Sequence, residues 1–177
     1  MMGVGLFFFF SCGSAVLAAN EISDPKDAIF IPLKVYQCDN FTPVVPLDVN
    51  LHDDGVDVEF ELEEEFTDLY QATVRISVWE DGAWKITNND GRPGVCETLS
   101  KSFGKAWSRA RAGFTPAMPG TCSIKPGHYK ITNFKMSNED VDLPITNTGK
   151  YQAKIVISDE YDTEITCVMV DVEIAKK

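Results

Sequence analysis

Two successive runs of alternating apolar and polar residues constrain the fold more than any other feature of this sequence. In residues 56–62, every second residue is apolar and the residues between are acidic. In residues 72–78 the alternation returns, with Thr, Arg and Ser at the polar positions. A period of two is typical of a strand that buries one face and exposes the other. Two such runs in succession predict an antiparallel pair.

Further strands are predicted on both sides of this pair. Pro32 either weakens the first of them or places it at a sheet edge. Residues 80–82 predict a turn, and the Asn-Asn-Asp-Gly run at 88–91 predicts a longer one. The predicted fold is therefore all-β: an immunoglobulin-like β-sandwich or β-cup of two antiparallel sheets with one short helix. The additional strands are expected at 29–36, 129–136, 151–158 and 164–174.

The predicted helix comes from one segment with a helical period. Between residues 95 and 111, apolar residues recur at every fourth position, at Val95, Leu99, Phe103 and Trp107. This spacing predicts one stripe of an amphipathic helix. For the aromatic residues, core packing and ligand contact both remain open. The same segment carries the cations Lys101, Lys105, Arg109 and Arg111. They either balance the acidic strand or flank a cavity mouth and bind an anionic lipid headgroup.

The start of the chain predicts secretion. Residues 1–19 contain no charged side chain and pass from four consecutive Phe to small residues. This pattern is typical of a secretory signal peptide, and residues 16–18 fit the small-x-small cleavage rule. We predict a signal peptide at 1–18 and a single domain at 19–177 in an extracellular protein. The alternative is an uncleaved membrane anchor, although about 18 apolar residues are at the short end for spanning a bilayer.

The cysteines and one glycosylation motif agree with secretion. Once Cys12 leaves with the signal peptide, four cysteines remain, an even number that predicts two disulfides. Spacing alone leaves all three connectivities open. Asn40-Phe41-Thr42 is a sequon and predicts an N-linked glycan on a surface-exposed Asn40. The four remaining cysteines are Cys38, Cys96, Cys122 and Cys167.

Several function classes are disfavoured by the residues. The formal net charge of −11 argues against nucleic-acid binding, which needs clustered Lys and Arg. The chain has two His, His52 and His128, and neither lies in a nucleophile motif. Most carboxylates of 57–65 fall on the exposed face of a strand, where a solvated surface is the simpler interpretation than an acid–base pair. We therefore predict no enzyme activity, no cofactor and no metal site.

A string in the second half of the chain resembles a known family. Residues 122–129 read Cys-Ser-Ile-Lys-Pro-Gly-His-Tyr, and Asn133-Phe134 follows. This resembles the signature of secreted ML-type (myeloid-differentiation-related lipid-recognition) proteins, and in particular the insect ganglioside-activator-like subgroup, some of them associated with chemosensory organs. Leu143-Pro144 and residues 149–151 continue the resemblance, which covers about 96–174. Ser123 stands where the family usually has Pro.

The resemblance implies a β-cup that holds acyl chains between two splayed sheets. It also implies the disulfides Cys38–Cys167 and Cys96–Cys122, with the helix and residues 114–118 at the cavity mouth. Lys105 and Arg109 would contact a headgroup. The predicted cavity and mouth residues are Val58, Phe60, Val74, Ile76, Trp79, Leu99, Phe103, Trp107, Phe114, Phe134, Val168 and Val170.

The sequence is compatible with two functions. The first is a secreted non-enzymatic carrier of a lipid or other hydrophobic small molecule, active in chemosensation or lipid transfer. A membrane surface or a receptor protein would be a further partner. The second is a secreted protein-interaction module with a filled β-sandwich core and no ligand. A cavity and a filled core are compatible with the same alternating pattern, since they differ only in whether the inward side chains meet.

Overall fold

The computed structural model describes residues 27–52, 55–120, 122–135 and 147–176. The predicted signal peptide at 1–18, Met136 and Leu143-Pro144 lie outside these residues. The described chain contains ten strands and one helix: β1 Ala28–Gln37, β2 Leu47–His52, β3 Gly55–Leu62, β4 Phe66–Thr67, β5 Gln71–Glu80, β6 Ala83–Pro93, α1 Val95–Gly113, β7 Ser123–Ile124, β8 Gly127–Phe134, β9 Gly149–Ser158 and β10 Glu164–Lys176.

The larger sheet has five strands in the order β1-β10-β9-β5-β6. All of its pairings are antiparallel. Register aligns Val168 of β10 with Ile155 of β9, and Ile155 with Val74 of β5, so these three side chains share one face. Pro32 lies in edge strand β1 beside a register shift, where its missing N–H interrupts no central ladder.

The smaller sheet has three antiparallel strands in the order β2-β3-β8. Val49 of β2 pairs with Val58 of β3, and Val58 pairs with Ile131 of β8, which places these three residues on one apolar face. A short two-stranded pair, β4 and β7, stands beside the two sheets. The predicted all-β class of two antiparallel sheets with one helix is confirmed.

One predicted turn is wrong. Residues 88–91 were expected to leave the sheet, but β6 continues through them to Pro93. The strand persists because β5 supplies partners, with Ile76 opposite Asn88 and Arg75 opposite Asn89. The earlier turn forms as predicted, since Asp81 and Gly82 have φ values of 53° and 81°. Two positive φ values at this position suit a tight hairpin connection.

The helix begins at Val95 and ends at Gly113, and Gly104 interrupts its geometry with φ 47° and ψ −119°. Glycine adopts this positive φ without the steric penalty of a side chain. The interruption divides α1 into two segments, each of which buries part of its apolar stripe.

Two separate clusters of buried residues form the core. The first cluster joins the helix to the two sheets, because it combines side chains of α1 with side chains of both sheets. The second cluster takes all its described members from β1, β5, β9 and β10 of the larger sheet. The first cluster is Leu62, Phe66, Ala72, Val95, Cys96, Leu99, Phe114, Met118, Ile124, Tyr129, Ile131 and Ile165. The second cluster is Ala28, Val74, Ile76, Tyr151 and Ile174.

Two disulfides fix the ends of this arrangement. Cys38 and Cys167 join the end of β1 to β10 across 129 residues. Cys96 and Cys122 join the start of α1 to the segment before β7 across 26 residues. These are the two pairs that the family resemblance implies.

Candidate functional site

The predicted ligand-contact residues divide into separate groups in the structure. Seven of them lie in the first cluster or pack against it, and they come from β3, α1, β8 and the segment after α1. Four of these are phenylalanines and one is tryptophan, so the region between α1 and the smaller sheet is rich in rings. The seven residues are Val58, Phe60, Leu99, Phe103, Trp107, Phe114 and Phe134.

Phe60 lies at the centre of these rings. Its centroid is 5.5 Å from that of Phe114 in an edge-on arrangement with an interplanar angle of 71°. The Tyr129 ring lies 5.5 Å away on another side in a stacked arrangement, and the Tyr129 hydroxyl donates to the Lys125 carbonyl at 2.8 Å. Offset-stacked and edge-on pairs each contribute about 0.5–1.5 kcal/mol beyond area burial. Phe60 therefore connects the smaller sheet with the segment that follows the helix.

Residues 114–118, predicted to form part of a mouth, are held close to the sheet. Thr115 N–H donates to the Lys130 carbonyl at 2.7 Å, and Lys130 N–H donates back to Thr115 at 3.1 Å. Met118 N–H donates to the Arg111 carbonyl at 3.0 Å. Phe114 and Met118 are buried, whereas residues 115–117 are exposed. This segment therefore covers one end of the first cluster.

The two predicted headgroup cations are both exposed. Arg109 Nη2 donates to the Lys135 carbonyl at 3.0 Å, and its guanidinium carbon lies 5.5 Å from the centroid of the Phe134 ring. A guanidinium at this distance over a ring gains a modest cation–π attraction. Lys105 projects from the same helix one turn earlier. Arg109 thus already has protein contacts at the rim of the first cluster.

Four other predicted residues belong to the larger sheet. Val74 and Ile76 are buried in the second cluster. Val168 and Val170 are partly buried and lie on the same face, opposite Ile155 and Ala153 of β9. These two valines therefore keep some accessible area on the face where Val74 and Ile76 are buried.

A cavity of about 160 Å³ adjoins Val168. It lies between the β1–β10 edge of the larger sheet and β2 of the smaller sheet. Sites for drug-sized ligands commonly measure about 300–1,000 Å³, so this cavity alone holds only a short part of an acyl chain. Its lining residues are Val35, Tyr36, Gln37, Leu47, Asp48, Val49, Thr166, Cys167 and Val168.

The structure does not bring Trp79 to the other predicted contact residues. Trp79 is 45% exposed, and its ring lies 5.2 Å from that of Trp84, which is 39% exposed. The reason is the period of the strand: Val74 and Ile76 lie on one face of β5, and Trp79 falls on the opposite face. Trp79 and Trp84 therefore form an exposed pair on the β5–β6 hairpin.

Arg111 was not among the predicted site residues, although it lies against one of them. Its guanidinium carbon is 5.7 Å from the Trp107 ring. Arg111 Nε and Trp107 Nε1 are both buried, and in the part of the chain that the structure describes neither has a hydrogen-bond partner. A signal existed in the sequence, because Arg111 follows Trp107 by four positions and so extends the apolar stripe of the helix.

The outer face of the smaller sheet is polar, as the alternation predicts. Asp57 accepts a hydrogen bond from Asn133 N–H at 2.7 Å and lies 3.0 Å from His52 Nε2. These contacts, that of Asn133 first, lower the pKa of the Asp57 carboxyl. On Glu59, a 2.7 Å contact from Lys130 and a 2.8 Å contact from His128 likewise lower the pKa. Both carboxylates are ionised at neutral pH and serve as acceptors for these neighbours.

One group of metal-ligand atoms also occurs near the start of the helix. A carboxylate oxygen of Asp68 and the sulfurs of Cys96 and Cys122 lie within 4.8 Å of one another. The two sulfurs are bonded together in a disulfide, so they are not free thiolates and cannot ligate as such. This group is best interpreted as part of the disulfide environment.

Asn40 is exposed in the turn after β1, with φ 58°. The position is therefore sterically open to the glycan that the sequon predicts. Within the described ranges, the helix does not combine the length and apolar character needed to cross a membrane.

Comparisons with known proteins give a likeness in structure but not in sequence. No protein-family model matches the chain. No curated protein matches it. Among solved structures, the chain is similar to chicken MD-1 complexed with lipid IVa, at 10% sequence identity and a TM-score of 0.36. The match covers 86% of this chain and 94% of the MD-1 chain.

Proposed function

We propose that this protein is a secreted, non-enzymatic carrier that holds a lipid or another hydrophobic small molecule between its two sheets. The observation that carries the proposal is the incomplete covering of the inner faces. Val58 on the smaller sheet and Val168 and Val170 on the larger sheet lie on core-bearing faces but remain partly accessible. Covering such apolar area with a ligand yields about 25 cal/mol per Å². The binding is noncovalent and needs no catalytic group.

The size of the cavity sets a condition on this function. At about 160 Å³, the space beside Val168 takes only part of a long chain. A longer ligand therefore requires the β1–β10 edge to move away from β2. The linker between β1 and β2 is attached to β10, since Val44 N–H and Val45 N–H both donate to the Ile165 carbonyl at 2.9 and 3.1 Å. We expect this attachment to stay fixed during opening, because Ile165 belongs to the first cluster and Val45 packs against it.

We further propose that the chain is an ML-type protein of the insect ganglioside-activator-like kind, with a role in chemosensation or lipid transfer. The 122–129 signature, Asn133-Phe134 and the two disulfides support this assignment. Secretion would follow cleavage after Ala18, and exposed Asn40 would carry a glycan. A membrane surface or a receptor would receive the ligand. Intact mass of protein secreted from eukaryotic cells tests the cleavage site and the glycan.

The carrier function is tested by binding with a matched pair of variants. Val168→Phe places a larger side chain beside the cavity, and Trp79→Ala removes a ring from the opposite face of the larger sheet. We expect the wild-type protein to retain a hydrophobic adduct in native mass spectrometry and to bind a fluorescent fatty-acid probe. Val168→Phe should weaken probe binding by roughly tenfold or more, whereas Trp79→Ala should leave it unchanged. Equal binding by both variants would place the ligand elsewhere.

The small cavity volume favours a second candidate, a secreted protein-interaction module with a filled core. In that case, native spectra stay free of adducts even after incubation with mixed lipids and volatile hydrophobes. Val168→Phe would then lower only stability, because overpacking a filled interior costs about 1–3 kcal/mol. The thermal midpoint of Val168→Phe therefore separates the two candidates: the carrier tolerates the substitution, and the filled module does not.

A further inference from the structure

Two buried hydrogen-bond donors lie side by side on the second segment of α1 without an acceptor. They are Trp107 Nε1 and Arg111 Nε, and neither has a hydrogen-bond partner among the described residues. Buried polar groups in folded proteins are nearly always hydrogen-bonded, so each exception calls for an explanation. Two exceptions on neighbouring residues call for a shared explanation.

The two donors are held next to each other by the helix and by their own contact. Residues four apart in a helix lie on the same face, and the Arg111 guanidinium carbon is 5.7 Å from the Trp107 ring. The loop after the helix also holds Arg111 in place, since the Arg111 carbonyl accepts a hydrogen bond from Met118 N–H. Trp107 packs against the first cluster, in the ring-rich region where Phe60 and Phe134 lie. Val58 packs against the same cluster and pairs with Val49, which lines the cavity beside Val168. The first cluster therefore lies between the two donors and that cavity, and a ligand that reaches both would run along Val58.

The chemistry of the pair favours an anionic oxygen as the missing acceptor. A guanidinium is always charged near neutral pH and binds carboxylates and phosphates through strong, charge-assisted hydrogen bonds. An indole N–H is a donor only, so it cannot satisfy the guanidinium. A neutral carbonyl would satisfy one donor, but an anionic oxygen would also attract the positive charge of the partly buried Arg111.

The other helix cations differ from Arg111 in exposure. Lys101, Lys105 and Arg109 are exposed, whereas Arg111 is partly buried. Arg109 moreover donates to the Lys135 carbonyl. The headgroup role expected for Lys105 and Arg109 therefore suits Arg111 better, because its buried Nε–H lies beside the apolar region.

We propose that Arg111 and Trp107 form the headgroup site of the carrier and bind the oxygen atoms of a carboxylate or phosphate group. This inference rests on the proposed carrier function and narrows its ligand to an anionic amphiphile. The apolar tail occupies the space between the sheets, and the anionic end meets the two donors beside the helix. The shared chemistry fits a free fatty acid and a lysophosphatidic acid equally.

Matched ligands separate the headgroup from the tail. Palmitic acid is compared with hexadecanol, and lysophosphatidic acid with a monoacylglycerol of the same chain. We expect the wild-type protein to bind the anionic member of at least one pair roughly tenfold to a hundredfold more tightly, as a charge-assisted hydrogen-bond pair would give. The pair with the larger ratio identifies carboxylate or phosphate as the preferred group.

Three variants test which residues carry that preference. Arg111→Gln should abolish it and leave hexadecanol affinity unchanged, and Trp107→Phe should reduce it severalfold while keeping a ring in place. Arg75→Gln, at a partly buried arginine on the outer face of β5, should leave the preference intact. Equal binding of acid and alcohol by the wild-type protein, or an unchanged preference in Arg111→Gln, would overturn the inference while the carrier function stands. Binding of none of the four ligands would overturn both.

A measurement without ligand guards against a variant that fails to fold. Arg111→Met removes the buried donor and the charge but keeps an unbranched apolar stem. If Arg111 serves the ligand, the ligand-free Arg111→Met protein should melt at the same temperature as the wild type or higher. A large fall in the melting temperature would assign Arg111 a structural role instead.

Discussion

The two core clusters show two ways in which one chain buries apolar residues. The first cluster draws on the helix and both sheets and is crossed by the Cys96–Cys122 disulfide. The described part of the second cluster comes from the larger sheet alone. A sheet face that is covered by partners on several elements is closed, whereas a face whose neighbours lie in the same sheet needs something else to cover it. The comparison indicates that the first cluster holds the helix and the two sheets together, whereas the described part of the second cluster stabilises the larger sheet alone.

Of the changes that test this comparison, removing each disulfide should have the largest effect on the free energy of unfolding. On the chain-entropy relation, the bridge that closes 129 residues stabilises the fold by about 5 kcal/mol and the bridge that closes 26 residues by about 3.5 kcal/mol. We expect Cys38→Ala/Cys167→Ala to lose more free energy of unfolding in urea than Cys96→Ala/Cys122→Ala. Each pair includes one buried cysteine, Cys167 in the first and Cys96 in the second, so the two double variants should lose similar packing energy. The reverse order would mean that local packing outweighs loop length.

Truncating one buried side chain in each cluster comes next. Phe114→Ala in the first cluster should cost about 3–5 kcal/mol, and Ile174→Ala in the second about 2–5 kcal/mol. If the clusters are independent, the two losses should add within about 0.5 kcal/mol in the double variant. Phe60→Ala and Phe114→Ala should instead depart from additivity, since their rings are in contact. Non-additive losses for Phe114 and Ile174 would show that one continuous core connects the clusters.

A smaller effect probes how tightly the first cluster is packed. A Cβ at Gly113 would lie 2.8 Å from Ile131 Cδ1. We therefore expect Gly113→Ala to cost about 1 kcal/mol by overpacking. Ile131→Val removes the Cδ1 atom, so Gly113→Ala should be nearly neutral in that background. A double-mutant cycle from urea denaturation measures the coupling, and an equal cost in both backgrounds would show that the contact with Ile131 Cδ1 is not its cause.

The smallest effect concerns the polar outer face of the smaller sheet. The Glu59 carboxyl has a lowered pKa because Lys130 and His128 contact it. Its contribution to stability is present above its usual pKa of 4.5 and is lost as the pH falls through the lowered pKa of the folded state. As the pH is lowered through the pKa of the folded state, we expect the melting temperature to fall. The fall should be shallower in Glu59→Gln. Parallel curves for the two proteins would exclude Glu59 as a contributor.

Local patterns predicted much of the fold, because period-two and period-four spacings record which face of an element is buried. They placed the strand faces of β5 and β10 and the apolar stripe of α1. They failed at residues 88–91, where pairing with β5 overrides turn-forming residues. Trp79 and Arg111 show that position in an element matters as well as residue type, because spacing places Trp79 on the outer face of β5 and Arg111 on the apolar stripe of α1.

The size of the space between the sheets could not be predicted from the sequence. It depends on the distance between β2 and the β1–β10 edge, which is set by side chains far apart in the chain. Val49 and Val168 line the same cavity although 119 residues separate their positions, 49 and 168. An alternating strand reports which way its side chains point, but not how far away the facing sheet lies.

The distribution of the tryptophans has an optical consequence. The chain has three, of which Trp79 and Trp84 form the exposed hairpin pair and Trp107 packs against the first cluster beside Arg111. Replacing the exposed pair by phenylalanine would leave Trp107 as the single tryptophan, at the proposed headgroup site. Its emission wavelength and quenching by iodide would then follow the arrival of a ligand directly. Trp107 is thus an intrinsic fluorescence reporter of ligand binding. The emission of Trp79 and Trp84 is a background that two substitutions remove.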